Sequence, residues 1–286
     1  MKNIPLIAAL MVSSCLNAQY YYNDIIANRD INNKMKTLLA AKVQSVMATG
    51  YDEYGKKSTD FNEWQEVQAN GTILKITTRT GQNAARSYYQ FDNNTRLISS
   101  RDSSADALVT TNYTYDNNGN LSSIKMTRKD SLHDFDQTED RQWQYTPAGK
   151  PLQVLRIANG TDSTEYRFTL DEKGNVADET MFRWTRGVYF YYDDQKIYYY
   201  YDDKGRLTDI VRYNRKLKQL VPDYTFEYDD NDRVIQKITA LSNTANFDYF
   251  IWRYGFNDKG LKTREKMFSK TQRQKGSIDY SYTYSQ

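Results

Sequence analysis

The chain has 286 residues, 39 basic and 36 acidic, with a formal net charge of +3 and the two signs mixed along its length. No basic block stands out, which excludes a charge-driven nucleic-acid partner. Hydrophobic residues reach only 39% and mean hydropathy is −0.85, yet 26 tyrosines lift the aromatic share to 14%, which argues against disorder and for a core of amphipathic rings.

The N-terminus, "MKNIPLIAALMVSSCLNAQ", has the layout of a secretory signal peptide: Lys2, an apolar run from Ile4 to Val12, and small residues up to Ala18. Residues 1–18 are expected to be removed. A competing reading takes Val12-Ser13-Ser14-Cys15 as a lipobox, which would lipidate Cys15. Either route exports the chain to the periplasm, the outer-membrane surface or the medium. The apolar run is too short to span a bilayer and no later segment reaches 18 apolar residues, so no transmembrane helix is expected. Cys15 is the only cysteine, so no disulfide is expected beyond it.

Residues 19–42 form an N-terminal segment in which Ile31, Met35, Leu38 and Leu39 follow helical spacing. This amphipathic helix is expected to cover an open end or edge of a sheet. Residues 43–286 then read as one repeat domain, with no linker to divide it.

The repeat runs "YQFDNNTRL" (89–97), "YTYDNNGNL" (113–121), "WQYTPAGKPL" (143–152), "RFTLDEKGNV" (167–176), "YYYDDKGRL" (199–207), "FEYDDNDRV" (226–234) and "RYGFNDKGL" (253–261). "GYDEYGKK" (50–57) reads as an earlier, degenerate copy. Each unit has alternating aromatics, a polar turn and a renewed apolar run, and the turns recur every 24 to 31 residues. Each unit is a β-hairpin. The opening residue, as at Asp116, Asp171 or Asp202, caps backbone amides ahead of it; Gly119, Gly174, Gly205 and Gly260 supply the left-handed position that closes a three-residue turn. Asp232 can replace such a glycine, whereas Thr95 predicts a different or frayed turn.

Alternation puts Tyr224, Phe226 and Tyr228 on one face opposite Thr225 and Glu227, the pattern of a half-buried antiparallel strand. By that register Tyr199 and Tyr201 are core residues and Tyr198 and Tyr200 face away. In the following half-repeats, strict alternation would put Asp209 with Leu207 and Val211, and Gln236 with Val234 and Ile238, so these strands are expected either to be bulged or to lie near a rim. The fold class is therefore all-β: an antiparallel meander of roughly 14 to 18 strands curled into a barrel-like or spiral sheet, with one short N-terminal helix.

Sites of chemistry are scarce. His133, the only histidine, lies in the polar stretch "KDSLHDFDQTED" without a nucleophile motif, and reads as a loop residue. Zinc lacks ligands. Asp202-Asp203 and Asp229-Asp230-Asn231-Asp232 lack calcium-loop spacing and are accounted for by the turns. No catalytic, metal-binding or cofactor-binding residue is assigned, and no pair of carboxylates stands out for glycoside hydrolysis. The surplus is aromatic: Tyr20 to Tyr22, then Tyr189, Tyr191, Tyr198 and Tyr200, which could face a ligand by stacking on sugars or docking a partner, or could simply pack.

"YYYDDKGRLTDI" resembles the YD repeat of the Rhs family: Tyr199, Tyr201, Asp202, Gly205, Arg206 and Leu207 match its pattern, and "YTYDNNGNL" matches all but the arginine. The resemblance covers roughly residues 88 to 284 as degenerate copies. Large members of that family wind many repeats into a shell around a C-terminal toxin. This chain has too few repeats for such a shell, lacks an Asp-Pro-x-Gly self-cleavage core, and shows no cargo after its repeats. It is more similar to short secreted YD-repeat proteins. That resemblance implies an envelope or extracellular, non-enzymatic interaction role, with a cell-surface polysaccharide or another envelope protein as the kind of partner. The competing readings are an outer-membrane β-barrel, against which Asp209 and Gln236 speak, and a carbohydrate-binding or carbohydrate-active protein.

Overall fold

A computed structural model describes residues 20–130, 136–185, 188–214, 218–241 and 248–285, with the backbone alone at 184, 185 and 188–195. Helix α1 (Tyr22–Ala40) precedes strands β1 (Val43–Tyr51), β2 (Lys57–Gln68), β3 (Ile73–Thr80), β4 (Asn83–Phe91), β5 (Leu97–Ser103) and β6 (Ala107–Tyr115). There follow β7 (Leu121–Asp130), β8 (Asp136–Tyr145), β9 (Pro151–Ala158), β10 (Asp162–Leu170), β11 (Val176–Thr185) and β12 (Val188–Tyr201). The last six are β13 (Leu207–Asn214), β14 (Gln219–Tyr228), β15 (Val234–Leu241), β16 (Asp248–Phe256), β17 (Lys262–Ser269) and β18 (Gln274–Tyr284).

Every strand pairs antiparallel with its successor. β18 then returns to β1, with Val46 opposite Tyr282 and Gly50 opposite Ile278, so the 18 strands close into one up-and-down barrel. Closure leaves no strand edge for a helix to cover.

The repeat turns share one hydrogen-bond pattern. At the β12–β13 turn, Asp202 Oδ1 accepts from the backbone amides of Lys204 and Arg206, and Gly205 stands at φ +76°. Asp116 and Asp171 cap their turns in the same way, with Gly119 at φ +84° and Gly174 at φ +80°; Gly260 stands at φ +73°. The β4–β5 turn departs from the sequence expectation: Thr95 takes φ +60° and closes the same turn, its amide donating to Asp92 O at 2.9 Å. The Asp92 carboxylate accepts from the amides of Asn94 and Arg96 and from Arg96 Nε, at 2.8–2.9 Å, and these bonds offset the backbone strain. The turn at Asp52–Lys56 has similar chemistry but joins β1 to β2, so the alternation of hairpins puts it at the other end of the barrel from the repeat turns.

The tyrosine and the arginine of the repeat stitch neighbouring units together. Where a tyrosine stands just before the turn, its phenol donates to a carbonyl at the start of the preceding unit's second strand. Tyr115 reaches Leu97 O, Tyr145 reaches Leu121 O and Tyr228 reaches Leu207 O, each at 2.7 Å, and Tyr201 reaches Val176 O at 2.9 Å. Arg206 pairs with its own Asp202 at 2.7 Å, donates to Asp229 O of the next unit at 3.0 Å and lies over the Tyr228 ring at 4.8 Å. The sequence signature is thus a lateral clasp as well as a turn.

Each clasp carries a bulge. The register shifts between Tyr200 and Tyr201, and again between Glu227 and Tyr228. The bulge reverses the alternation that strict period two gives for the second strand. Ile210 and Arg212 therefore share the face of Tyr199 and Ile197, while Asp209 and Val211 pair with Tyr200 and Tyr198 on the outer face. Likewise Lys237 pairs with Phe226 on the inner face, and Gln236 and Ile238 point outward.

The core lies inside the ring of strands. Met35 and Leu38 of α1 are buried against Val46, Leu74, Phe91 and Leu97, and Tyr21 against Trp143, Phe168 and Tyr199. The helix therefore sits within the barrel, its C-terminal turn near the end that carries the repeat turns: Leu39 abuts Gly71 and Thr37 approaches Gly260. Among the described residues, no helix is long and apolar enough to cross a membrane.

A candidate ligand cavity in the barrel lumen

One column of the repeat faces the lumen in every unit: the residue three places after the start of the second strand. It is Ser100, Ile124, Val154, Glu179, Ile210, Lys237 and Glu265 in turn. Apolar residues there pack; the charged ones mark where the lumen does something else.

Glu179 anchors the N-terminal segment. Its carboxylate accepts the backbone amides of Tyr21 and Tyr22, each at 3.0 Å, and the Tyr199 phenol at 2.8 Å. Burial raises its pKa to about 7 although these three donors favour the charged form. Beside it, Arg141 bonds Asp24 of the helix and Glu139, both at 2.6 Å, and Arg156 bonds Glu139 at 2.7 Å. Burial raises Asp24 to about 6 against the pull of Arg141; for Glu139 the two arginines outweigh burial and hold its pKa down. Tyr20 donates to Asp223, which also accepts from Arg212 Nε at 2.9 Å. The helix is thus tied to β8, β11 and β14.

These ties draw α1 towards one wall and leave a cavity of about 940 Å³ against the other. Arg29, Asn33, Lys34 and Thr37 of α1 line one side, and Glu63 and Gln65 of β2 with Lys237, Tyr254, Lys262, Glu265 and Tyr280 of β15–β18 line the other. Arg206, Asp232, Arg233 and Gly260 place it at the rim of the repeat turns. A volume of this size, walled by aromatic rings and by many charged and polar side chains, has room for a small polar ligand.

The charges inside are unevenly matched. Glu265 accepts from Lys262 Nζ at 2.5 Å and from the Tyr280 phenol at 2.8 Å; Glu63 accepts from Gln65 at 2.6 Å and Thr78 at 3.0 Å. Lys237 lies over the rings of Tyr224, at 4.6 Å, and Phe226, at 6.0 Å. Burial lowers the pKa of both Lys34 and Lys237. Lys262 stands where Leu97, Leu121, Val176 and Leu207 are buried in other units, because this unit reads Gly260-Leu261-Lys262 where the unit before β13 reads Gly205-Arg206-Leu207.

Tyr198 and Tyr200, singled out in the sequence, lie elsewhere. Tyr200 is 47% exposed on the outer face opposite Asp209, and Tyr198 is half-buried there opposite Val211, with Lys196 Nζ 5.3 Å from its ring. The side chains of Tyr189 and Tyr191 lie outside the described residues, as does His133. The cavity residues were missed because they are ordinary charged residues; lining up the units column by column, with the bulge allowed for, would have exposed Glu179, Lys237 and Glu265 as departures from an apolar position.

No protein-family model and no curated protein matches the chain. Among solved structures it is similar to the TcdB2-TccC3-TEV crystal structure, at 12% identity and a TM-score of 0.34, and to the Photorhabdus luminescens Tc holotoxin pore, at 14% and 0.34. Each match covers 78% of this chain but only 12% of the other, so the chain spans a small part of those proteins. It is also similar to a porin-like protein from Bacteroides uniformis, at 8% identity and a TM-score of 0.38, over 84% of this chain and 98% of that one.

Proposed function

We propose that this chain is a short YD-repeat protein, exported to the cell envelope or beyond, that works without catalysis as a water-soluble binding barrel. The ligand is taken into the lumen beside α1. The observation that carries this reading is the cavity of about 940 Å³ between the helix and β13–β18. The signal-peptide pattern of residues 1–18 supports export, and the match of Tyr199 to Leu207 to the YD pattern supports the repeat assignment. Charged pairs on the outer face, such as Lys75 with Glu66, support a barrel surrounded by water and speak against the outer-membrane alternative.

The test is to fill the cavity. Asn33 is an exposed helix residue on its lining, so Asn33→Trp should leave the fold in place while taking up the space. A panel of saccharides, organic acids and nucleotides would be screened by thermal shift against both proteins. A compound that raises the melting temperature of the parent but not of the variant supports a lumenal site. Compounds that stabilise both equally would place binding outside the lumen and overturn the reading.

A further inference from the structure

Three hydrogen-bond donors line this cavity with no acceptor of their own. Among the described residues, the ammonium groups of Lys34 and Lys237 and the phenol of Tyr254 neither donate a hydrogen bond nor join an ion pair. The other phenols of this wall are used: Tyr228 donates to Leu207 O, Tyr280 to Glu265 and Tyr282 to Lys262 O. Nor are the cavity's inner carboxylates left over for the lysines, since Glu265 is held by Lys262 and Tyr280, and Glu63 by Gln65 and Thr78.

The donors belong to one neighbourhood. Lys34 and Lys237 both feel the charges of Lys262 and Glu265, and Tyr254 pairs in register with Glu265. Lys237 and Tyr254 are contributed by adjacent strands, β15 and β16. Burial lowers the pKa of both amines, so their charged form carries a desolvation cost that an incoming anion would relieve. Rings surround them: Phe226, Tyr228 and Phe256 line the same space.

We infer that the cavity binds a small organic anion built on a ring, its acidic group received by Lys34, Lys237 and Tyr254 and its ring lying against Phe226 and Tyr228. This rests on the lumenal binding reading above and names the chemistry of the ligand. Two amines and a phenol, all hydrogen-bond donors, fit a carboxylate or sulfate, whose oxygens accept several bonds at once. The aromatic wall suits either the apolar face of a sugar ring or a flat aromatic ring.

Matched acid and neutral probes separate the possibilities. The exported chain would be titrated calorimetrically at low and high salt with glucuronate against glucose, and with benzoate against benzyl alcohol, at millimolar concentrations. At least one acid should bind, more weakly at high salt, with its neutral partner at least tenfold weaker. Which acid binds tells a sugar from an aromatic ring. Lys237→Met and Lys34→Met should each weaken the acid at least tenfold while the ligand-free melting temperature stays or rises, because each removes a desolvated amine that makes no hydrogen bond or ion pair of its own. That combination separates a binding role from a structural one. Failure of both acids to bind, or acid binding that survives both lysine variants, overturns the inference. If a neutral compound then binds in an Asn33→Trp-sensitive way, the lumenal reading stands and only the anion assignment falls.

Discussion

Four tyrosines in a row, Tyr198 to Tyr201, take four different places. Tyr199 is 3% exposed and holds Glu179 through its phenol, and Tyr201 packs half-buried and clasps Val176 O. Tyr200 faces water, and Tyr198 lies half-covered on the same outer face. Removing a buried ring leaves a cavity as well as losing transfer energy, so Tyr199→Ala should cost roughly 3–5 kcal/mol. The same substitution orphans one of the three donors to Glu179. Tyr200→Ala should stay within about 0.5–1 kcal/mol. Chemical denaturation of both variants checks this. A Tyr200→Ala loss as large as that of Tyr199→Ala would mean that the outer face is covered in solution.

At the scale of elements, the hairpins were legible and the destination of the helix was not. Turn chemistry is local: Asp202, Gly205 and Arg206 carry it within five residues, so one unit suffices to recognise the hairpin. The broken alternation of the second strands pointed to a bulge, but its place beside each turn, which flips their parity, shows only in the pairing: Lys237 rather than Gln236 faces Phe226. Similarly, nothing in the helical periodicity of residues 22 to 40 says that the sheet closes around them. The helix is held by Glu179 and Asp24, and this makes its docking depend on pH. Both carboxyls are raised by burial, Glu179 from 4.5 to about 7 and Asp24 from 3.8 to about 6. A raised carboxyl binds its proton more tightly in the folded chain, so its contribution is complete below the unfolded pKa and is lost as pH rises through the folded one. For Glu179 the window runs from about 4.5 to about 7, for a loss of roughly 3 kcal/mol. Melting temperature should therefore fall between pH 5 and pH 8, and Glu179→Gln should flatten that slope. A parent protein that grows more stable over this interval would contradict the assignment. The turn carboxylates run the other way: Asp116, Asp171, Asp202 and Asp229 are lowered, chiefly by bonds from the residue four places on, and their contribution disappears in acid.

For the whole molecule, the closed barrel raises the question of which solvent surrounds it. A barrel in a membrane needs an outward apolar band about 25 Å tall, and each lysine or arginine at its midplane costs about 2–4 kcal/mol. Here the outward positions are read from the pairing. Glu66 lies between the inward Gln65 and Val67 and bonds Lys75 on the next strand at 2.8 Å. Arg264 and Asp279, flanking the inward Glu265 and Ile278, pair across β17 and β18 at 2.5 Å. Glu165 and Arg167 do the same on β10, either side of the inward Tyr166. The first two pairs flank β1 and the third stands on a distant strand of the ring, so the charges interrupt any apolar belt at two places on the circumference. Several such charges would together oppose insertion by an amount no ordinary barrel contact offsets. The chain without residues 1–18 should therefore stay monodisperse without detergent and remain in the aqueous fraction when floated with liposomes. Co-flotation that survives high salt would require the outer face to repack against lipid. In that case the charged pairs would have to be broken or turned inward, and hydrogen exchange on β2, β3, β17 and β18 would show it.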